Sequence, residues 1–254
     1  MHQPTLRVLQ VLQSIAAEGQ GKRLTELSRE LDIPKSTLLP ILQTLCQQQF
    51  LTQDDAGRYG AGTSLFSLGA AFDRKFPLLP YVHQRLEGLV QELGETCYFG
   101  VLDEGQVLYL EKADSPQPLR MLTTVGHRLP AYATGLGKAL LMESDLPQLS
   151  ALYPTALMPL TEHTITDLSA LHAQLKQARQ DGYTWESEES TPHVRCFAVP
   201  VRKHGAIVAA ISVTIPLFRY EESQKERILD ALTETSRHIQ LTIEKTNAHF
   251  TDIF

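Results

Sequence analysis

Cys196 has the plainest capacity for covalent chemistry in this chain, because His193 stands three positions before it and a thiolate nucleophile needs a positioned base. Cys97 is a second candidate. No cysteine signature of a known catalytic type surrounds either residue, and a small thiol packed on a strand is the commoner arrangement. A cysteine enzyme is therefore the minor reading. Cys46, Cys97 and Cys196 are odd in number, widely separated, and form no CxxC or Cys/His pair at metal-ligand spacing. Neither a zinc site nor any cofactor is expected. A different chemistry is offered by Thr134-Gly135-Leu136-Gly137, a short turn before a helical run. Exposed backbone N–H groups at such a start can hold a carboxylate, although a plain capping turn has the same sequence.

The elements that must position these residues fall into two groups. Leu6, Leu9 and Leu12 recur at helical intervals up to Ala16, and Gly19-Gln20-Gly21 ends that run. Leu24–Leu31 predicts a short second helix, with Thr25 as its N-cap. Asp32-Ile33-Pro34 is long enough only for a tight turn. A third helix then starts at Lys35, with Leu38, Ile41, Leu42 and Leu45 on one face and Lys35, Ser36, Leu39 and Gln43 towards the other. Phe50-Leu51-Thr52 and Arg58-Tyr59-Gly60 flank the turn-rich Asp54-Asp55-Ala56-Gly57, which predicts a β-hairpin. Three helices with a trailing hairpin make a winged helix-turn-helix, a shape that fits a helix into the major groove of duplex DNA. A three-helix bundle without nucleic acid is the competing reading.

Residues 1–62 are thus one domain. The stretch 63–77, apolar at helical spacing through Leu65, Leu68 and Phe72 and broken by Pro77, is expected to be a linker helix. Residues 78–254 form the second domain. A helix carrying Val82, Leu86, Leu89 and Leu93 stops at Gly94. Short β-like runs follow at Thr96–Leu102, Val107–Ala113, Leu119–Thr123, Thr184–Glu186, Cys196–Val201 and Ile207–Ile215. Helical segments lie between and after them: Gly137–Met142, Asp145–Leu152, Leu168–Asp181, and Glu221 to about Asn247. Strands joined by hairpins with helices gathered around them predict an α+β domain on an antiparallel sheet.

Net charge is −6, which argues against coating nucleic acid or membrane by bulk electrostatics. Residues 1–75 carry +1 and the remainder −7, so charge alone does not mark the DNA-binding half. There is no run of eighteen apolar residues, and Met1-His2-Gln3-Pro4 lacks a secretory pattern, so a cytoplasmic protein with no membrane partner is expected.

Over nearly its whole length the chain resembles the IclR family of bacterial transcription regulators. The N-terminal match runs from Leu27 through Asp32-Ile33-Pro34-Lys35-Ser36-Thr37 to Gly57-Arg58-Tyr59 and Leu68-Gly69. More specific is Gly126-His127-Arg128-Leu129-Pro130-Ala131-Tyr132-Ala133-Thr134-Gly135-Leu136-Gly137-Lys138-Ala139-Leu140-Leu141, a stretch with no generic structural explanation. It continues in Asp181-Gly182-Tyr183, Glu188-Glu189, Val194–Val201 and Ala209–Val213. The resemblance implies a winged helix-turn-helix, a linker helix and a GAF/PAS-like effector domain whose small-molecule ligand modulates binding to a double-stranded DNA operator. It also implies a homodimer or homotetramer. Many such proteins repress catabolic operons and some activate.

Lys35, Ser36, Thr37, Leu39, Gln43, Arg58 and Tyr59 are then the candidate DNA-contacting residues. Ser36 and Thr37 open the recognition helix, Lys35 offers a point charge there, and Arg58 is the wing candidate for phosphate or minor groove. The plainer alternative is a set of ordinary solvated polar residues. Thr134, Gly135, Leu136, Gly137, Glu186, Cys196, Ser212 and Thr214 are the candidate effector-binding residues. Of these, Glu186, Cys196, Ser212 and Thr214 map by resemblance onto the pocket. Ser212 and Thr214, two apart on one strand, also point to one face. A small carboxylate or sugar-derived acid suits such groups, with an aromatic acid as the alternative. Three positions depart from the family pattern. Pro40 falls inside the recognition helix, where a proline deletes one hydrogen bond. Glu186 stands where relatives often carry Asp, and His193 where they often carry Gly.

Overall fold

The structure is a computed structural model that describes residues 1–17, 21–73, 77–118 and 123–246. The chain divides into two compact units, Met1–Lys75 and Phe76–Phe254.

In the first unit α1 (Gln3–Ala17) buries Val11 and Ile15 against α2 (Leu24–Glu30) and α3 (Lys35–Gln47). Leu27 comes from α2 and Leu38, Leu42 and Leu45 from α3; together they form the small core. The turn between these helices is closed by Ser28 Oγ donating to the Ile33 carbonyl at 2.7 Å and by Thr37 and Leu38 N–H donating to Pro34 O. Thr25, expected as the N-cap of α2, lies inside the helix. Arg23 is the cap instead, because the Glu26 carboxylate three residues on accepts the Arg23 N–H at 2.7 Å. The hairpin strands β2 (Leu51–Gln53) and β3 (Arg58–Ala61) turn at Gly57, whose φ of +74° only glycine adopts freely. β3 also pairs with β1 (Lys22–Arg23), which gives a three-stranded sheet in the order β1-β3-β2. The unit closes with α4 (Thr63–Asp73). Gly19 and Gln20, expected to end the first helix, lie outside the described residues.

The second unit is built on a six-stranded antiparallel sheet in the order β6-β5-β4-β9-β8-β7. Its strands are β4 (Thr96–Asp103), β5 (Gln106–Ala113), β6 (Arg128–Pro130), β7 (Thr184–Ser187), β8 (Val194–Lys203) and β9 (Ala206–Pro216). The period of two along each strand sends alternate residues to opposite faces. Cys97, Phe99, Val199, Val201, Ile211 and Val213 pack under α5 (Leu79–Leu93) and α9 (Lys225–Thr246), which contribute Val82, Leu86, Ile228, Leu232 and Ile239. Tyr98, Tyr109, Ala198 and Ala210 face the other way, towards α6 (Gly135–Leu140), α7 (Leu146–Leu152) and α8 (Leu168–Asp181).

Three expectations change at their edges. The helix placed at Gly137–Met142 starts two residues earlier, because Thr134 Oγ1 accepts the Gly137 N–H at 2.9 Å and fixes the start at Gly135. The strand expected at Leu119–Thr123 lies outside the described residues except for Thr123, which belongs to no strand. The edge strand β6 has no expected counterpart: three residues carry too little alternation to read.

Candidate functional site

The solvent face of α3 is set by its apolar stripe. With Leu38, Leu42 and Leu45 committed to the core, Lys35, Ser36, Leu39, Pro40 and Gln43 are left exposed, and Thr37 is half-buried. The helix runs unbroken through Pro40; the ring faces solvent, and the missing N–H leaves only the Ser36 carbonyl without its helical donor. Thr44 Oγ1 donates to the Pro40 carbonyl at 2.9 Å. The N–H groups of Thr37 and Leu38 are already spent on Pro34, so a phosphate at this end meets those of Lys35 and Ser36.

Two hairpin residues sit differently from expectation. Tyr59 is only 5% exposed and packs into the core of the first unit, because β3 turns it inward between Arg58 and Gly60; it is removed from the DNA-contacting set. The Arg58 guanidinium is engaged inside the protein, donating to the Gly21 carbonyl at 3.1 Å with the Glu26 carboxylate 3.7 Å away. It fastens β3 to the start of β1.

In the second unit a cavity of about 400 Å³ opens above the sheet face that carries α6. Cross-strand pairing explains which residues reach it. Glu186 on β7 pairs with Cys196 on β8, which pairs with Thr214 on β9, so the three form one row across adjacent strands. Ser212 is one step along on β9 and opposite Tyr98 of β4. All five line the cavity, with Thr134, Gly135 and Ser190 at its rim. Leu136 and Gly137 do not. Leu136 is 1% exposed and its N–H points to the Cys196 sulfur, while the Gly137 N–H is held by Thr134. Both amides are thus spent on partners inside the protein.

Sequence reasoning missed Tyr98, Tyr109, Thr123, Leu129, Ser190, Thr191 and Val194, which complete the lining. For Tyr98 the signal was present: it falls out of phase with Cys97 and Phe99, so alternation sends it to the cavity face. The rings of Tyr98 and Tyr109 meet edge-on at 5.2 Å, and burial raises both phenol pKa values.

Glu186 is 1% exposed, and burial pushes its pKa up to about 7 despite two bonds that favour the charged form. Those bonds come from the loop that follows β7: the Glu189 N–H at 2.8 Å and the Ser190 hydroxyl at 3.0 Å. The same loop is fastened by Thr161 Oγ1 to Glu188 O, by Thr164 Oγ1 to Glu189 O, and by an ion pair between the Glu189 carboxylate and the fully buried Lys138. Burial lowers the Lys138 pKa against the pull of Glu189 and Glu186. Glu188 and His193 close the loop in left-handed conformation, each with φ of +62°, a region that glycine enters without strain. No lysine, arginine or histidine lines the cavity among the described residues.

Cys196 lacks what a nucleophile needs. Burial pushes its thiol pKa up to about 12, and the Thr214 and Ser212 hydroxyls and the Leu136 N–H that bond to it include no base. The His193 side chain is 87% exposed and turned to Glu188 at 3.4 Å.

A helix-turn-helix unit joined to an antiparallel α+β unit that holds a small-molecule cavity defines a ligand-responsive transcription regulator. The chain belongs to the IclR family. Residues 74–241 match the bacterial transcriptional regulator IclR C-terminal model and residues 5–55 the IclR helix-turn-helix model. The chain is 32% identical to the HTH-type transcriptional regulator KdgR of Escherichia coli K12 over 92% of its length and 90% of that protein. It is 31% identical to the transcriptional repressor IclR of the same strain, over 87% and 83% respectively. Its fold is shared with a crystal structure of an IclR transcriptional regulator from Alicyclobacillus acidocaldarius at a TM-score of 0.80, 23% identity, and coverage of 95% of this chain and 98% of that one. The protein is a DNA-binding transcription regulator.

Proposed function

We propose that this protein represses a catabolic operon and that a small hydroxylated carboxylate or sugar-derived acid, held in the cavity of the second unit, modulates its operator binding. The observation that carries the reading is the row Glu186, Cys196, Thr214 with Ser212 beside it, which turns a carboxyl, a thiol and two hydroxyls into one enclosed space. Hydroxyls of a ligand match those groups. An acid group of the ligand can share a single proton with Glu186, whose pKa near 7 keeps much of it neutral at neutral pH. On the DNA side Lys35, Ser36, Thr37, Leu39 and Gln43 carry the contacts, and Arg58 serves the wing mainly by holding its backbone. The buried, base-free thiol of Cys196 favours a binding role over an enzymatic one. The protein acts in the cytoplasm as a homodimer or homotetramer. Phe66 and Leu68, 79% and 58% exposed on α4, supply an apolar face for a second copy, and no helix among the described residues is long and apolar enough to cross a membrane.

Titration of the full-length protein against the DNA upstream of its own gene tests the reading. A specific complex is expected whose log K falls with log[salt] by about 0.9 per phosphate neutralised. Gln43→Ala should relax discrimination at one base pair by roughly 1–3 kcal/mol while leaving the salt slope unchanged. Ser212→Ala should bind the operator as tightly as wild type but respond to the effector found by a thermal-shift screen of hydroxy acids only at much higher concentration. Equal effector titrations for wild type and Ser212→Ala would remove the cavity from the signalling path.

A further inference from the structure

The exposed side of α3 is not uniformly polar. Along the stripe that the core leaves free, Lys35 and Ser36 occupy the first turn, Leu39 and Pro40 the second, and Gln43, Thr44 and Gln47 the remainder. Leu39 is 39% exposed, and Pro40 beside it adds a ring with neither donor nor acceptor. The Thr44 hydroxyl on the following turn is directed back onto the Pro40 carbonyl at 2.9 Å. An apolar step therefore interrupts a polar face, with hydrogen-bonding side chains before and after it. Rotating α3 to hide Leu39 would expose Leu38 and Leu42, so the core fixes the step outward. A single exposed leucine needs no explanation on an arbitrary surface. This one stands on the face that meets base edges when the second helix of a helix-turn-helix enters the major groove.

Given α3 as the helix that enters the groove, on which this assignment rests, we propose that Leu39 and the ring of Pro40 read the C5 methyl group of a thymine in the operator. Among the groups that base pairs present in the major groove, that methyl is the one projecting apolar group. The others are the acceptors of guanine, adenine and thymine and the amino donors of adenine and cytosine. Set against an amino group, Leu39 and Pro40 would strip its water and return no acceptor, a cost that rejects adenine and cytosine at that edge. Set against the methyl, they bury apolar surface on both partners. Gln43, one turn further on, reads a neighbouring pair by hydrogen bonds, so polar and apolar readout follow one another along a single helix. Base preference thus arises at a step where the chain offers no hydrogen-bonding side chain.

The test uses the duplex segment that full-length protein protects upstream of its own gene, made with thymine and then with deoxyuridine at each thymine in turn. Deoxyuridine keeps every hydrogen-bonding group of thymine and lacks only the methyl. At a pair facing α3, removing the methyl should weaken binding roughly three- to fivefold, the worth of burying one such group. Leu39→Ser, at a position the core does not use, should bring the ratio of thymine to deoxyuridine affinity at that pair close to unity. Gln43→Ala should leave the ratio as in wild type. Equal affinity for the two duplexes at every position, or a ratio that survives Leu39→Ser, would overturn the proposal while leaving operator binding in place. A smaller assembly of Leu39→Ser in sedimentation, with the ratio unchanged, would overturn it by giving the side chain to a contact between copies. Failure to protect any segment would defeat operator binding itself and the proposal with it.

Discussion

Gly137→Ala is expected to destabilise the second unit by at least about 3 kcal/mol and to lower its melting temperature by roughly 6–12 °C. A Cβ at Gly137 would stand 2.3 Å from both Cα and O of Ala131 and 2.7 Å from its carbonyl carbon. These are backbone atoms of the short 3-10 turn Ala131–Ala133, so no side-chain rotation relieves the contact. Either α6 moves off the turn or the turn moves off β5 and β6. Both routes disturb Thr134 and Gly135, which form the rim of the effector cavity, so effector response should fall along with stability. Gly88→Ala is the matched control. It also lies inside a helix of the second unit, but a Cβ there meets nothing within 4 Å, and alanine should stabilise by about 0.5–1 kcal/mol through helix propensity. Chemical denaturation of the two variants beside wild type separates steric clash from propensity; a Gly137→Ala protein as stable as wild type would mean that α6 and the turn are not packed as described.

The second large effect concerns pH. The folded-state pKa of Glu186 is near 7 against 4.5 for the ordinary carboxyl, chiefly because burial penalises the anion. Between those values the native protein holds a proton that the unfolded chain has already lost. Stability therefore falls as pH rises through this window, by on the order of 3 kcal/mol once pH passes about 7. The groups facing Glu186 are the Glu189 N–H and Ser190 hydroxyl from the loop, the Glu189 carboxylate, and Lys138 from α6. Glu186→Gln keeps the shape and removes the titration. Urea unfolding of the two proteins from pH 5 to pH 8 should show wild type losing stability relative to Glu186→Gln as pH rises. A constant difference across that range would place the Glu186 titration elsewhere.

Much of this was readable from residues alone, for identifiable reasons. Helices with strong apolar periods, such as Leu168–Asp181 closed by Gly182 at φ +81°, announce both their face and their end. Ser212 and Thr214 share a face by strand geometry, whatever the partner strands do. The row that joins Thr214 to Cys196 and Glu186 was not readable in the same way, because it depends on the register of β7, β8 and β9, and no local pattern states which residue lies opposite which. Tyr59 misled for a related reason. Its neighbours Arg58 and Gly60 suggest an exposed wing, and only the added strand β1 shows that the ring is enclosed.

The alignment of Glu186, Cys196 and Thr214 along one rung of the sheet also bears on how such receptors change their tastes. Each contributes only a side chain to the chamber, while its main chain is locked into ladders with both neighbours or at the edge with one. The frame therefore survives exchanges at these three places much as a printer's forme survives a change of letters, and a new chemical vocabulary can be set without recasting the page.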